Sequence, residues 1–143
     1  MSTQDNKAIA RRFAQVWGKG TLNIVDELAA PNLSVSYPLL PETVHGPEAF
    51  KQILMMVHSG LPDADARIED EIAEGDKVVV RWRMRGTHTG ELMGIAPSGK
   101  PVTWTGITIY RLADGKIVEE KGEEDSLGLM QQLGAIPAPT QAR

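Results

Sequence analysis

The spacing of apolar side chains changes partway along the chain, from helical to alternating, near Asp65. In Asn6–Trp17, residues Ile9, Phe13, Val16 and Trp17 form one apolar stripe, which predicts a helix stopped by Gly18-Lys19-Gly20. A shorter helix follows over Asn23–Ala30, with Pro31 barring its continuation. Leu33–Tyr37 alternates and reads as a short strand closed by Pro38 and Pro41. Gly46-Pro47 opens a third helix, which turns Phe50, Ile53, Leu54 and Val57 inward and closes at Gly60, Pro62 and Asp63.

The rest reads as strand until a last helix. Ala66–Ala73 and Lys77–Arg85 flank Glu74-Gly75-Asp76. A three-residue turn there pairs Ile72 with Val78, Asp70 with Val80 and Ile68 with Trp82, which gives one apolar face and one face of cross-strand ion pairs. Asp70 and Trp82 then share the inner face. Asp114-Gly115 is the strongest turn signal; a two-residue turn pairs Tyr110 with Glu119 and, continued outward, sets Trp104 opposite Asp125. Ser126–Leu133 is a short closing helix ended by Gly134. Between the long strands, Glu91–Pro101 is a glycine- and proline-rich loop whose Leu92, Met93 and Ile95 need something apolar to cover.

Helices followed by a strongly curved antiparallel sheet and a closing helix define an α+β fold with space for a pocket between the layers. Its 143 residues suit one domain, here 1–135, with 136–143 a mobile tail. The net charge of −4 lacks the basic footprint that nucleic acid requires. No cysteine is present, so thiolate catalysis and zinc–thiolate sites are excluded. No apolar run reaches membrane-spanning length and the N-terminus has no signal-peptide core, so a cytoplasmic protein without a membrane partner is expected.

Candidate chemistry is sparse. Asp125 precedes the closing helix and suits either a helix cap or a pocket acid/base. His88, within Gly86-Thr87-His88-Thr89-Gly90, could donate to an oxyanion or act as a base, or be a turn histidine bonded to backbone. His45 and His58 stand too far apart in sequence for a metal motif, and no metal is expected. Tyr37, Trp104 and Tyr110 are either core or pocket wall. No nucleophile elbow, phosphate loop or dinucleotide fingerprint occurs.

Gly86-Thr87-His88-Thr89-Gly90-Glu91, Met93–Lys100, Val102–Gly106, the His45–Phe50 segment and Asp125–Gly134 together resemble the SnoaL-like polyketide cyclase (ester cyclase) family of the NTF2-like superfamily. The resemblance covers nearly all of the chain except the tail. It implies a cone: a curved sheet wrapped around the N-terminal helices, usually dimeric, with a hydrophobic pocket. It also implies ring closure of an aromatic polyketide ester by intramolecular aldol condensation without metal or organic cofactor, with Asp125 matching the acid/base aspartate. The expected partner is a hydrophobic, carbonyl-containing small molecule, held by Tyr37, Trp82, Trp104 and Asp70, with His88 assisting Asp125.

Two positions depart from the family pattern. Ser36-Tyr37-Pro38 replaces a common histidine, and Lys121 replaces a common tryptophan. The lysine could pair with Glu119 or Glu123, or place a cation near Asp125. Two other readings keep the cone: an isomerase, dehydratase or epoxide hydrolase, or a non-catalytic binding dimer.

Overall fold

The computed structural model describes residues 2–138. The first helix, α1 (Thr3–Ala14), begins earlier than the apolar stripe predicts, because Ser2 and Asp5 form a capping box. Asp5 N donates to Ser2 Oγ at 3.0 Å and Ser2 N to Asp5 Oδ2 at 3.2 Å. A 3-10 turn, Gln15–Trp17, continues it to Gly18, where a Cβ would fall 2.5 Å from Ala66 N. Next come α2 (Asn23–Leu28), β1 (Ala29–Ser36), β2 (Val44–His45), α3 (Pro47–Gly60), β3 (Asp65–Glu74), β4 (Lys77–Thr87), β5 (Pro101–Ala113), β6 (Lys116–Glu124) and α4 (Ser126–Leu133). Pro31 does not end a helix as expected. It lies inside β1, in the stretch between Ala29 and Ser34 where the pairing with β6 shifts.

One six-stranded sheet runs in the order β2-β1-β6-β5-β4-β3. Its pairs are antiparallel except β1 with β6, which is parallel. The helices cover one face, and the packed residues gather in two clusters. Phe13, Phe50, Val80 and Tyr110 anchor the first, and Met84, Leu92, Trp104 and Leu129 the second. Trp17 and Trp82 pack against both. The architecture is the expected α+β cone.

Two β-bulges decide which side chains face inward. The β3–β4 turn has two residues and not three: Glu74 pairs with Lys77, and Gly75 (φ 60°) takes the first central position, which favours glycine in a II′ hairpin. This register turns Ile72 outward, 66% exposed, and sets Asp70 beside Arg81 on the solvent face. A bulge between Ile68 and Asp70 then restores the expected Ile68–Trp82 pair. At the other hairpin, Asp114 (φ 51°) and Gly115 (φ 75°) make the expected I′ turn. One residue of β6 bulges directly after Ile117, so Arg111 pairs with Glu119 and Tyr110 with Glu120. Ile117 and Val118, though adjacent, are both buried, and the even positions Glu120, Gly122 and Glu124 face the helices from there on. The expected Trp104–Asp125 pairing is lost: Gly106 pairs with Glu124, and Asp125 N donates to Thr105 O at 2.9 Å.

Candidate functional site: an apolar cavity over buried carboxyl groups

Between the two packed clusters lies a cavity of about 440 Å³. Leu39, Ile53, Met84 and Leu129 are typical of its wall, and its polar-tipped side chains are Trp17, Tyr37, Trp82, Trp104, Thr108, Tyr110 and Glu124. Most of these tips are engaged by the protein itself. Trp104 Nε1 donates to Glu124 Oε1 at 3.0 Å, Trp82 Nε1 to Thr108 Oγ1 at 2.9 Å, and Trp17 Nε1 to Glu120 Oε2 at 2.7 Å. The indoles therefore turn their apolar faces to the space.

Beneath this floor sits Glu120, with no solvent exposure. Tyr37 Oη donates to its Oε2 at 2.5 Å, a charge-assisted distance. Thr108 Oγ1 stands 2.8 Å from Tyr37 Oη. Thr108 accepts from Trp82, and Tyr37 has given its only proton to Glu120, so Thr108 must donate to Tyr37. A directed chain results: Trp82 to Thr108 to Tyr37 to Glu120, with Trp17 the second donor to the same oxygen. Glu120 Oε1 has no partner among the described residues. Burial outweighs the bonds from Tyr37 and Trp17 and pushes the Glu120 carboxyl up to about 7. Burial, and then the Glu120 charge, holds the Tyr37 and Tyr110 phenols well above their ordinary value.

Tyr37, Trp82 and Trp104 line the cavity, as do Leu92 and Met93 of the long loop. Glycines make room for two of the rings. A Cβ on Gly122 would fall 1.8 Å from Tyr37 Cε1, and one on Gly106 would fall 2.3 Å from Trp82 Cζ2.

The other expected site residues lie elsewhere. Asp70 is on the outer face, its side chain 68% exposed and 3.8 Å from Arg81, because the shorter turn reverses its parity. Asp125 is exposed and caps α4, accepting from Gly128 N at 2.9 Å; the carboxylate on the cavity wall is its predecessor Glu124. His88 is buried but apart from the cavity lining. Its Nδ1 accepts from Ser98 N at 3.2 Å and lies 3.0 Å from Ser98 Oγ, while its backbone bonds Lys100 O and Gly99 N. It braces the base of the loop. His58 Nε2 meets Val16 O at 2.7 Å. Lys121 points outward to Glu119, 3.5 Å away. Among the described residues, no three His, Asp or Glu side chains converge as a metal site requires, and no helix is long and apolar enough to cross a membrane.

Sequence reasoning missed Glu120, Glu124 and Trp17. The available signals were the adjacent apolar pair Ile117-Val118, which one face of a regular strand cannot bury, and Gly122, a strand glycine that marks close approach of another group.

A helix-backed curved sheet around an apolar cavity, with carboxyl groups in wall and floor, defines an enzyme of the NTF2-like fold. The profile of the SnoaL-like polyketide cyclases matches residues 7–133, and the chain belongs to that family. The nogalonic acid methyl ester cyclase of Streptomyces nogalater is 30% identical, covering 85% of this chain and 92% of its own. The aklanonic acid methyl ester cyclase AcmA of Streptomyces galilaeus is 29% identical over 89% of each chain. Among solved structures, a protein from Jannaschia sp. CCS1 assigned to the SnoaL-like polyketide cyclases superposes with a TM-score of 0.84 at 28% identity, over 94% of this chain and 95% of that one.

Proposed function

We propose that this enzyme closes a ring in a polyketide ester by intramolecular aldol condensation, with Glu124 as the acid/base carboxylate. The observation that carries this reading is the position of Glu124. It lies on the wall of an apolar cavity, fixed by Trp104 Nε1, and burial raises it above the usual carboxylate range. A desolvated carboxylate of raised pKa is a stronger base toward a carbon acid flanked by carbonyls. Glu124 takes that proton, and the enolate carbon attacks a second carbonyl carbon of the same molecule. One C–C bond forms, the C=O π pair becomes an alkoxide, and a proton returned to that oxygen completes the step. No electrons leave the substrate, so the reaction asks for no redox cofactor. Tyr110 lines the cavity, and its hydroxyl meets no side-chain partner among the described residues, so it can donate to the enolate oxygen.

Aklanonic and nogalonic acid methyl esters, the compounds for which the relatives are named, are the substrates to try first. Chromatography with mass detection should show a product of unchanged mass and altered retention, abolished in Glu124→Gln with the fold intact. Full turnover in that variant would overturn the assignment of Glu124, and no ring closure with either ester would overturn this choice of substrate.

We also propose that the enzyme is a homodimer joined through the outer sheet face. Ile72, Val79 and Ile109 are directly paired across β3, β4 and β5, and form an apolar row there. Ile72 is 66% and Ile109 42% exposed.

A further inference from the structure

The floor of the cavity holds a carboxyl group that the ring-closing step above does not use. We propose that Glu120 and Tyr37 form a proton-delivering pair, in which Glu120 stores a proton and Tyr37 hands it to an oxygen of the bound molecule. This rests on the cyclase reading for its role, but not for its test.

The argument is a count of donors and acceptors. With Glu120 ionised, the Tyr37 proton points to Glu120 Oε2 at 2.5 Å, and Tyr37 Oη accepts from Thr108 at 2.8 Å. Every donor in the chain of bonds then has its acceptor within the protein, and no proton is offered to the cavity. With Glu120 protonated at Oε2, that group donates to Tyr37 Oη. Both lone pairs of Oη are now occupied, one by Glu120 and one by Thr108. The Tyr37 O–H has no acceptor left within the chain of bonds and turns to the cavity that the ring lines. A carbonyl or alkoxide oxygen of a ligand supplies the missing acceptor. Protonation of Glu120 and binding of an oxygen at the floor therefore favour one another.

In ring closure, the new alkoxide takes the Tyr37 proton as the Tyr37 O–H bond breaks. Tyr37 Oη takes the Glu120 proton in the same movement. The alcohol and the Glu120 carboxylate remain, and Tyr37 is unchanged. After product leaves, Glu124 releases its proton to water and Glu120 takes one up, which closes the cycle. Tyr37 is the residue that touches substrate; Glu120 acts through it.

The titratable groups facing Glu120 are few. Tyr37 lies just beyond β1, Tyr110 is its cross-strand partner on β5, and the 3-10 turn contributes only the Trp17 indole. β1 brings Val35 alongside, and the cation on the neighbouring Lys121 points to the opposite face. Glu124 is the other titratable group on the cavity wall. A carboxyl group poised near 7 can both hold and release a proton at neutral pH.

The test is a pair of probes: 2-acetylnaphthalene, which carries a carbonyl acceptor, and 2-ethylnaphthalene, which does not. Calorimetry from about pH 5 to about pH 9 gives the ratio of their affinities. The advantage of the carbonyl probe is expected to be about tenfold larger at the acid end than at the alkaline end, where only Tyr110 can donate, with a midpoint near 7. Tyr37→Phe should remove this pH-dependent part of the advantage. Glu120→Gln should make the ratio independent of pH, while Glu124→Gln should keep the pH dependence. A flat ratio in the native enzyme overturns the proposal, as does the same midpoint surviving in Glu120→Gln. Should Glu120→Gln fail to fold, the native titration and Tyr37→Phe still decide. Naphthalene binding requires no turnover, so failure to cyclise polyketide esters leaves this result standing. A flat ratio in an active cyclase removes the relay alone.

Discussion

The ring of Tyr37 rests on the backbone of Gly122, with Tyr37 Cε1 1.8 Å from where a Cβ would lie. Gly122 is thus the seat that holds the phenol over Glu120. Gly122→Ala is expected to push the ring off its place and to cost about 1–3 kcal/mol, as overpacking does. Urea denaturation measures the loss, and the carbonyl preference of the probe pair should fall with it. Unchanged stability and preference would mean that the ring relaxes freely.

Glu120 should impress its titration on stability. Its folded value, about 7, lies above its ordinary 4.5, so the native state binds more protons than the unfolded chain between these limits. The contribution of Glu120 to stability should be full below the lower limit and decline by up to about 3 kcal/mol as pH rises through the upper one. Asp63 and Glu69, held low by Thr87 and Arg83, titrate below this window. Denaturation curves for Glu120→Gln against the native enzyme isolate the effect: the variant should gain most at the alkaline end. A constant difference across the range would contradict the burial of an ionising Glu120.

Asp125 is expected to act on α4 and not on substrate. Asp125→Asn keeps a side-chain acceptor for Gly128 N and should leave melting temperature and turnover nearly unchanged. Asp125→Ala should cost about 1 kcal/mol. If Asp125→Asn melts normally but has lost turnover, the acid/base is Asp125 and the assignment to Glu124 falls.

For the dimer, sedimentation at micromolar concentration should give twice the 15.6 kDa chain mass. Ile109→Lys places a charge in the apolar row of β3, β4 and β5 and should return the enzyme to a monomer. A native mass of one chain would dispose of the interface.

Much of the fold is readable from short-range pattern. Pro47–Gly60 starts and stops where its glycines and proline dictate, and Asp114-Gly115 makes its turn because both residues accept positive φ. The aromatic wall is also readable, since Trp82 keeps its inner position and Tyr37 and Trp104 reach the cavity. The carboxyl groups were misplaced because alternation fixes parity only from a known turn length and along a regular ladder: the two-residue turn at Gly75-Asp76 reverses Asp70, and the bulge after Ile117 shifts Glu120, Glu124 and Asp125 by one residue. The pairing of Tyr37 with Glu120 spans 83 residues and depends on β1 lying parallel to β6, which no local pattern encodes. Of the tail expected to be mobile, residues 139–143 lie outside the described residues.

The sequence contains three tryptophans, and all of them line one cavity. The intrinsic emission of the protein therefore has no silent background. Each indole has its N–H tied down and its face turned to the same space, so whatever enters is seen by every emitter at once. An unlabelled molecule with an aromatic or conjugated carbonyl system should quench the whole signal and not a fraction of it. The enzyme is its own optical sensor for the compounds it accepts.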